Sequence, residues 1–215
     1  YGNMKLKSPV KKFNNETIYT TLEYGDTTYL PQYKLLGWTI QFHNGEDYTS
    51  SVNPKRAYGI PVLASQDGTI DKVIWDSPMS TKGNGITIIG NSFQDTDGKM
   101  RLLGTVYWHL SQISVKAGDK VKTGDMIGRL GNSGFVIGGL TLPQKGTHIH
   151  FGVYQYILDN GFWKFEFPDN GVNGAVKPSN WLEENWKDNA PVMGWTDYLS
   201  YFADIKKLVE LFIKN

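Results

Sequence analysis

Short runs of alternating or β-branched apolar residues, separated by turns rich in glycine and asparagine, fill the middle of the chain. These runs cover residues 61–64, 69–75, 86–89, 101–109, 125–130, 148–157 and 161–167. None of them keeps a helical spacing of apolar side chains over three turns, whereas period-two spacing over such lengths is typical of strands. We therefore predict a mainly β fold, with antiparallel sheets in a sandwich or barrel-like arrangement.

Two pairs of these runs are predicted to form hairpins. The turn dipeptide Asp67-Gly68 separates 61–64 from 69–75, and such dipeptides commonly connect neighbouring antiparallel strands. A short polar link likewise separates 148–157 from 161–167. We expect the two runs of each pair to lie side by side in one sheet.

The carboxyl end follows a different pattern. Apolar side chains there recur with helical spacing, and Thr196 or Asp197 can cap the helix; they are Tyr198, Leu199, Phe202, Ile205, Leu208, Val209, Phe212 and Ile213. Its balanced charges disfavour a basic membrane-surface helix. We predict a helix docked on the domain, and a partner-binding or linker helix is the alternative.

Composition narrows the class of protein. With 40% hydrophobic and 20% charged residues, the chain is typical of a globular protein. A net charge of +1 gives no reason to expect a nucleic-acid partner. We find no apolar run long enough for a membrane-spanning helix, and we expect no signal peptide in the lysine-bearing first residues. The lack of cysteine leaves His, Asp and Glu as the metal ligands.

The few histidines carry the candidate chemistry, and the chain has only His43, His109, His148 and His150. Asp47 follows His43 by four residues, with a glycine between them that permits a bent backbone. His148 and His150 are two apart in a predicted strand, so both imidazoles point to the same face. Each pair can therefore direct two side chains to one site.

Two histidines and one aspartate would suit a zinc ion that keeps a fourth position open, which is a catalytic arrangement. The chain offers more groups than such an ion needs, and the spare histidines can give or accept protons beside it. There is no His-Glu-x-x-His helix to supply a glutamate base. A histidine is then expected to take that role.

Three ordered segments resemble the lysostaphin-like (LytM-type) zinc metallopeptidases that act on bacterial peptidoglycan. They are His43-Asn44-Gly45-Glu46-Asp47, Tyr107-Trp108-His109-Leu110-Ser111 and His148-Ile149-His150-Phe151. The linking text and the later Pro178-x-x-Trp181-Leu182 are also similar. Ordered motifs with linking text are far more specific than any one motif. Two stretches depart from the family pattern, 135–146 and 159–176, and either could border the substrate groove.

The resemblance implies that His43, Asp47 and His150 bind one Zn²⁺ and that His109 and His148 are catalytic, with the order of the two catalytic roles open. It implies a duplicated hybrid β motif. We divide the chain into an N-terminal extension (1–37), a peptidase domain (38–186) and a C-terminal helical segment (187–215). The extension is expected to wrap the domain as loops and short strands; the alternative is that it inhibits the site as a propeptide would.

The resemblance implies an endopeptidase that hydrolyses peptide crosslinks or bridges of peptidoglycan, in the cell wall or periplasm. A non-catalytic wall-binding or regulatory module is one alternative, although such relatives are expected to lose ligands. A structural phage or secretion component that carries this fold is another, and it would place the chain in a virion. Taken singly, His109 could be a bonded strand-end histidine and Asp47 a turn-capping residue.

Overall fold

The computed structural model describes residues 4–75, 82–136, 146–200 and 203. It is mainly β, as predicted. The strands are β1 (Tyr19–Leu22), β2 (Glu46–Thr49), β3 (Pro61–Leu63), β4 (Gly68–Ile74), β5 (Asn84–Gly90), β6 (Phe93–Gln94), β7 (Met100–Leu110), β8 (Gln112–Ile113), β9 (Lys120–Val121), β10 (Met126–Arg129), β11 (Ile149–Asp159), β12 (Phe162–Phe165) and β13 (Ala175–Val176). The helices are short: α1 (Leu30–Leu35), α2 (Pro54–Ala57), α3 (Trp186–Asn189) and a 3-10 turn at Pro178–Asn180.

Antiparallel pairing joins the strands into two sheets. The larger sheet has ten strands with the path β1-β2-β11-β7-β5-β4-β9, and β12 and β13 pair with β11 while β6 pairs with β7. The smaller sheet has the order β3-β10-β8. Strand β7 is buried almost throughout because sheet neighbours and packed side chains cover both of its faces. The long β7–β11 pair is the frame on which the candidate site is built.

One predicted hairpin is confirmed and the other is wrong. Strands β11 and β12 pair as expected, with Ile157 opposite Lys164. Strands β3 and β4 instead belong to different sheets, because β3 pairs with β10 and β4 with β5. Beyond the end of β3, the amide of Ala64 donates to the Asp125 carbonyl and Ala64 accepts from Gly124. These bonds keep the chain beside β10 until it crosses to the larger sheet.

The predicted N-terminal extension contributes to the same core as the rest of the chain. Leu6, Val10 and Ile18 are buried in the main apolar cluster with Trp181 and Leu182. The amide of Leu6 donates to the Trp181 carbonyl at 2.8 Å, and the amide of Lys12 donates to the Pro191 carbonyl at 2.7 Å. The two ends of the described chain are therefore hydrogen-bonded to each other. The boundary proposed after residue 37 stays a prediction.

The start of the predicted C-terminal helix lies within the described residues, where 195–200 are helical. This turn contacts the amino-terminal segment: Lys11 Nζ lies 2.9 Å from Asp197 Oδ2, and Tyr198 packs edge-on against Phe13. The remainder of that prediction falls outside the described residues apart from residue 203. In the described part of the chain, no helix has the length and apolar character needed to cross a membrane.

Candidate metal centre

Three side chains from different parts of the sequence converge on one point. Nε2 of His43 lies 2.9 Å from Nδ1 of His150 and 3.2 Å from Oδ1 of Asp47. Nδ1 of His150 lies 3.1 Å from the same Asp47 oxygen. The sheet produces this closeness, because β2 and β11 pair with Asp47 directly opposite His150. His43 arrives from the loop that leads into β2.

The spacing of these three atoms fits a small tetrahedral cation. Zinc binds imidazole nitrogen and carboxylate oxygen at about 2.0–2.1 Å, so two ligands on a tetrahedral edge lie about 3.3–3.4 Å apart. The observed separations of 2.9, 3.1 and 3.2 Å are close to this edge. The three residues are buried and form a group that could hold a metal ion. Two imidazoles and one carboxylate are a donor set that zinc accepts with a position left for a non-protein ligand.

Burial and charge set the protonation of the ligand side chains. Burial lowers the pKa of His150 to about 4, against an opposing hydrogen bond from Asp47. Burial alone would raise the pKa of Asp47, but the facing charges of His148 and His43 hold it well below its usual range. Asp47 is therefore anionic and His150 neutral near pH 7, and these are the forms that bind a metal.

Packing fixes the orientation of His150. The ring of Trp108 stacks on it with centroids 4.6 Å apart and planes inclined by 11°. On the other side, a Cβ at Gly45 would lie 2.7 Å from Nε2 and Cε1 of His150, so only glycine lets the loop approach this closely. In the described chain, Nε2 of His150 is buried without a hydrogen-bond partner. Nδ1 is the nitrogen directed at Asp47 and His43.

His109 and His148 stand beside this triangle, with ring centroids 4.8 Å apart. Nδ1 of His109 donates to the Ser133 carbonyl at 2.8 Å, and Nδ1 of His148 donates to the Gly146 carbonyl at 2.7 Å. Because a carbonyl only accepts, each ring carries a hydrogen on Nδ1 and leaves Nε2 as the nitrogen turned away from that carbonyl. Nε2 of His148 lies 3.5 Å from Oδ2 of Asp47.

The pKa of His109 is lowered to about 3, first by burial and then by the charge of His148. His109 is thus neutral near pH 7, and its Nε2 can accept a proton. Its backbone is unusual as well, since His109 adopts a φ of +66° at the end of β7. This left-handed conformation is uncommon for residues other than glycine, although histidine adopts it more often than most. Here the His109 amide donates to the Lys82 carbonyl at 3.2 Å, which helps to hold it.

The five predicted site residues line a cleft of about 420 Å³. Of the stretch 135–146, which we expected to border the substrate groove, the described residues Phe135, Val136 and Gly146 line the cleft. Four aromatic residues form one wall of the cleft, and the sequence did not predict them as part of the site. They are Tyr19, Tyr29, Tyr33 and Trp38. No motif marks these residues. The one sequence feature that could have indicated them is the number of tyrosines in a stretch that we interpreted as a polar extension.

Comparisons with known proteins identify the family that this chain resembles. The protein-family model described as Peptidase family M23 matches residues 41–161, which are more than half of the chain. The chain is 36% identical over 109 residues to the glycyl-glycine endopeptidase ALE-1 of Staphylococcus capitis, which covers 51% of this chain and 24% of that protein. It is 30% identical over 125 residues to the peptidoglycan DD-endopeptidase ShyC of Vibrio cholerae, covering 58% and 22%.

Among solved structures, the lytM protein of Ruminococcus gnavus aligns with a TM-score of 0.51 at 22% identity, over 89% of this chain and 63% of that one. At this identity the likeness shows the fold alone. The chain spans less than a quarter of the length of the curated relatives it matches. The resemblance drawn from the three motifs is confirmed: the chain belongs to peptidase family M23.

Proposed function

We propose that this chain is a zinc-dependent endopeptidase that hydrolyses peptide crosslinks or bridges of bacterial peptidoglycan. The observation that carries the proposal is the triangle of ligand atoms on His43, Asp47 and His150, with two further imidazoles beside it in one cleft. Two relatives named for glycyl-glycine and peptidoglycan DD-endopeptidase activity support the substrate class. Such a substrate places the protein outside the cytoplasm.

Zinc is the proposed metal because the described ligand set has two imidazole nitrogens and one carboxylate oxygen, without a thiolate. When bound, the ion would polarise the scissile carbonyl and make a water nucleophilic near neutral pH. His43, Asp47 and His150 would hold it. The carboxylate of Asp47 offsets part of the ion's charge in a buried site, where an unpaired charge is costly.

His109 is proposed to accept or return a proton during hydrolysis. Its Nδ1 hydrogen is held by the Ser133 carbonyl, so the ring cannot turn without losing that bond. Its low pKa, caused chiefly by burial, keeps Nε2 free of a proton before reaction. A positioned group of this kind contributes to catalysis by taking a proton as it leaves the attacking water.

His148, the second histidine beside the triangle of ligand atoms, is proposed to make the remaining proton transfers. The Gly146 carbonyl holds its Nδ1 hydrogen, and Oδ2 of Asp47 lies 3.5 Å from Nε2. A protonated His148 could donate to the developing oxyanion or to the departing amine. The roles of His109 and His148 can be exchanged in this scheme.

The test is the product formed from purified peptidoglycan. We expect new amino groups without new reducing sugar ends, loss of release after zinc chelation, and recovery when zinc is restored. His109→Ala is the matched control, because it should keep the metal and lose release. New reducing ends would indicate a glycosidase instead. No release by zinc-loaded protein from several wall types would favour the non-catalytic module.

A further inference from the structure

A tight turn at residues 23–26, here the 23–26 turn, lies against the metal ligand His43. The amide of Asp26 donates to the Glu23 carbonyl at 3.3 Å and so closes the turn. The turn follows directly on β1, where Leu22 pairs opposite Asp47. It also lies upstream of residues 41–161, which carry the family match. Leu22 and this turn, both outside the family region, thus lie against two of the proposed ligands.

Three hydrogen bonds join the turn to His43. Nδ1 of His43 donates to the Glu23 carbonyl at 3.0 Å, which holds the ring. The His43 amide donates to the Asp26 carbonyl at 2.8 Å, and the Gly25 amide donates to the His43 carbonyl at 2.9 Å. Ring and backbone of His43 are therefore both fixed by one short turn.

The ring bond decides which nitrogen of His43 can bind a metal. Since the Glu23 carbonyl can only accept, the hydrogen sits on Nδ1 and the lone pair on Nε2. Nε2 is the atom that lies 3.2 Å from Asp47 and 2.9 Å from His150. Partners of this kind orient metal-binding imidazoles and raise their basicity as ligands.

We propose that the 23–26 turn is a positioning element of the metal centre and sets the zinc affinity of this chain through His43. The inference rests on the proposed zinc site and goes beyond it. The same stretch of chain supplies Tyr29, Tyr33 and Trp38 to the cleft wall. Removal of residues 19–38, which include this turn, would therefore weaken metal binding, whereas removal of an inhibitory propeptide would release activity.

Two glycines give a matched test. Gly25 and Gly37 have φ of +89° and +76°, and a Cβ at either would meet nothing within 4 Å. Valine at either position strains the backbone without a clash, because β-branched residues disfavour this conformation. We expect Gly25→Val to weaken zinc binding by roughly tenfold or more, as for other outer partners of metal ligands. Gly37 donates its amide hydrogen to the Lys34 carbonyl rather than to His43, so Gly37→Val should bind zinc as the wild-type chain does.

Zinc affinity is measured on the full chain by competition with a chromophoric chelator, and heteronuclear NMR of the imidazole nitrogens reports whether the hydrogen of His43 stays on Nδ1. A second pair covers the case in which Gly25→Val does not fold. Oδ1 of Asp26 accepts from the Thr28 amide at 2.7 Å and supports the turn. Asp26→Ala should weaken zinc binding, and Asp26→Asn, which keeps an acceptor, should restore it.

The outcomes separate this inference from the proposed activity. Equal zinc affinity in Gly25→Val, Gly37→Val and wild-type protein would overturn the positioning role. Equal losses in Gly25→Val and Gly37→Val, or in Asp26→Ala and Asp26→Asn, would also overturn it, because strain or charge alone would then explain them. Protein that shows the expected zinc pattern but releases no amino groups would overturn the proposed hydrolysis and leave the positioning role standing.

Discussion

Two polar clusters lie toward opposite ends of the paired strands β7 and β11. At one end Arg101 bonds to Glu166 through Nε and Nη2, both at 2.8 Å, and contacts Asp97 and Asp95 through Nη1 at 2.6 and 3.3 Å. At the other end, His150 stands opposite Trp108, and the carboxylate of Asp47 is surrounded by imidazoles. The same sheet frames both clusters.

The two clusters differ in where the positive charge comes from. The guanidinium of Arg101 supplies it in the first cluster, so the chain itself provides a cationic partner for the carboxylates of Glu166, Asp95 and Asp97. In the second, the described residues that line the cleft include no lysine or arginine. Imidazole nitrogens and one carboxylate then converge on a common point, an arrangement that a cation stabilises. A polar cluster that the chain leaves incomplete is the better candidate for a ligand site.

The strongest test of this difference between the two clusters is to remove the carboxylate of Asp47, the anion of the second cluster. We expect Asp47→Ala to lower zinc affinity by more than the roughly 10–100-fold expected for an outer partner, because a direct ligand is lost. Chelator competition at neutral pH measures it. Asp97→Ala, in the first cluster, is the control and should leave zinc affinity unchanged. Unaltered zinc binding by Asp47→Ala would remove Asp47 from the ligand set.

The next largest effect separates ligands from proton-transfer groups within the second cluster. We expect His109→Ala to bind one zinc ion normally and to lower the turnover number by roughly 10²–10⁴, the usual contribution of a positioned acid or base. Metal analysis and the amino-group assay on the same preparation give the two values. If His109→Ala lost zinc as well, His109 would have to be a ligand.

The sequence predicted more of the second cluster than of the first. In the second, strand periodicity correctly placed the imidazoles of His148 and His150 on one side, and both now lie within 3.5 Å of Asp47. The first depends on Arg101 meeting Glu166, 65 residues away, and the β7–β11 pair together with the β11–β12 hairpin brings them close. The hydrogen bond from His43 to the Glu23 carbonyl could not be predicted from the sequence either. Every residue has a backbone carbonyl, so no residue type identifies the one that accepts.

The failed hairpin has a similar cause. Asp67-Gly68 satisfied a local turn rule, yet Oδ1 of Asp67 accepts from the amide and hydroxyl of Thr123, both at 2.8 Å. Distant pairing with β10 thus competed with local pairing and prevailed. Local propensity is a weak guide wherever long-range strand partners decide the sheet.

The first cluster is tested by removing its cation. We expect Arg101→Met to lower the free energy of unfolding by about 3–5 kcal/mol, because buried carboxylates then lose their partner. Urea denaturation measures the loss. Asp97→Asn is the control with a smaller expected loss, since its side chain is 44% exposed. Zinc affinity of the folded Arg101→Met protein should match wild type, and a large drop would couple the two clusters.

The smallest predicted effect is a dependence on pH. Hydrogen bonds from Arg101 hold the pKa of Glu166 below its ordinary value of 4.5. Below that ordinary value the unfolded chain binds the proton more readily, so stability present above it is lost as pH falls through the folded pKa. The melting temperature of Glu166→Gln should therefore fall less than that of wild type between about pH 5 and pH 3. Parallel melting curves would contradict this assignment.

The hydrogen bonds that join the two ends of the described chain have a consequence for synthesis. Lys11 donates to Asp197, which lies 186 positions later in the sequence, and the amide of Leu6 donates to the Trp181 carbonyl. Contacts between such distant positions slow folding, because a large loop must close before they can form. On the ribosome, Leu6 would lack its Trp181 partner while the strands between them form. Residues 181–197 would then complete this part of the core, and the contacts of Leu6 and Lys11 would be among the last to form.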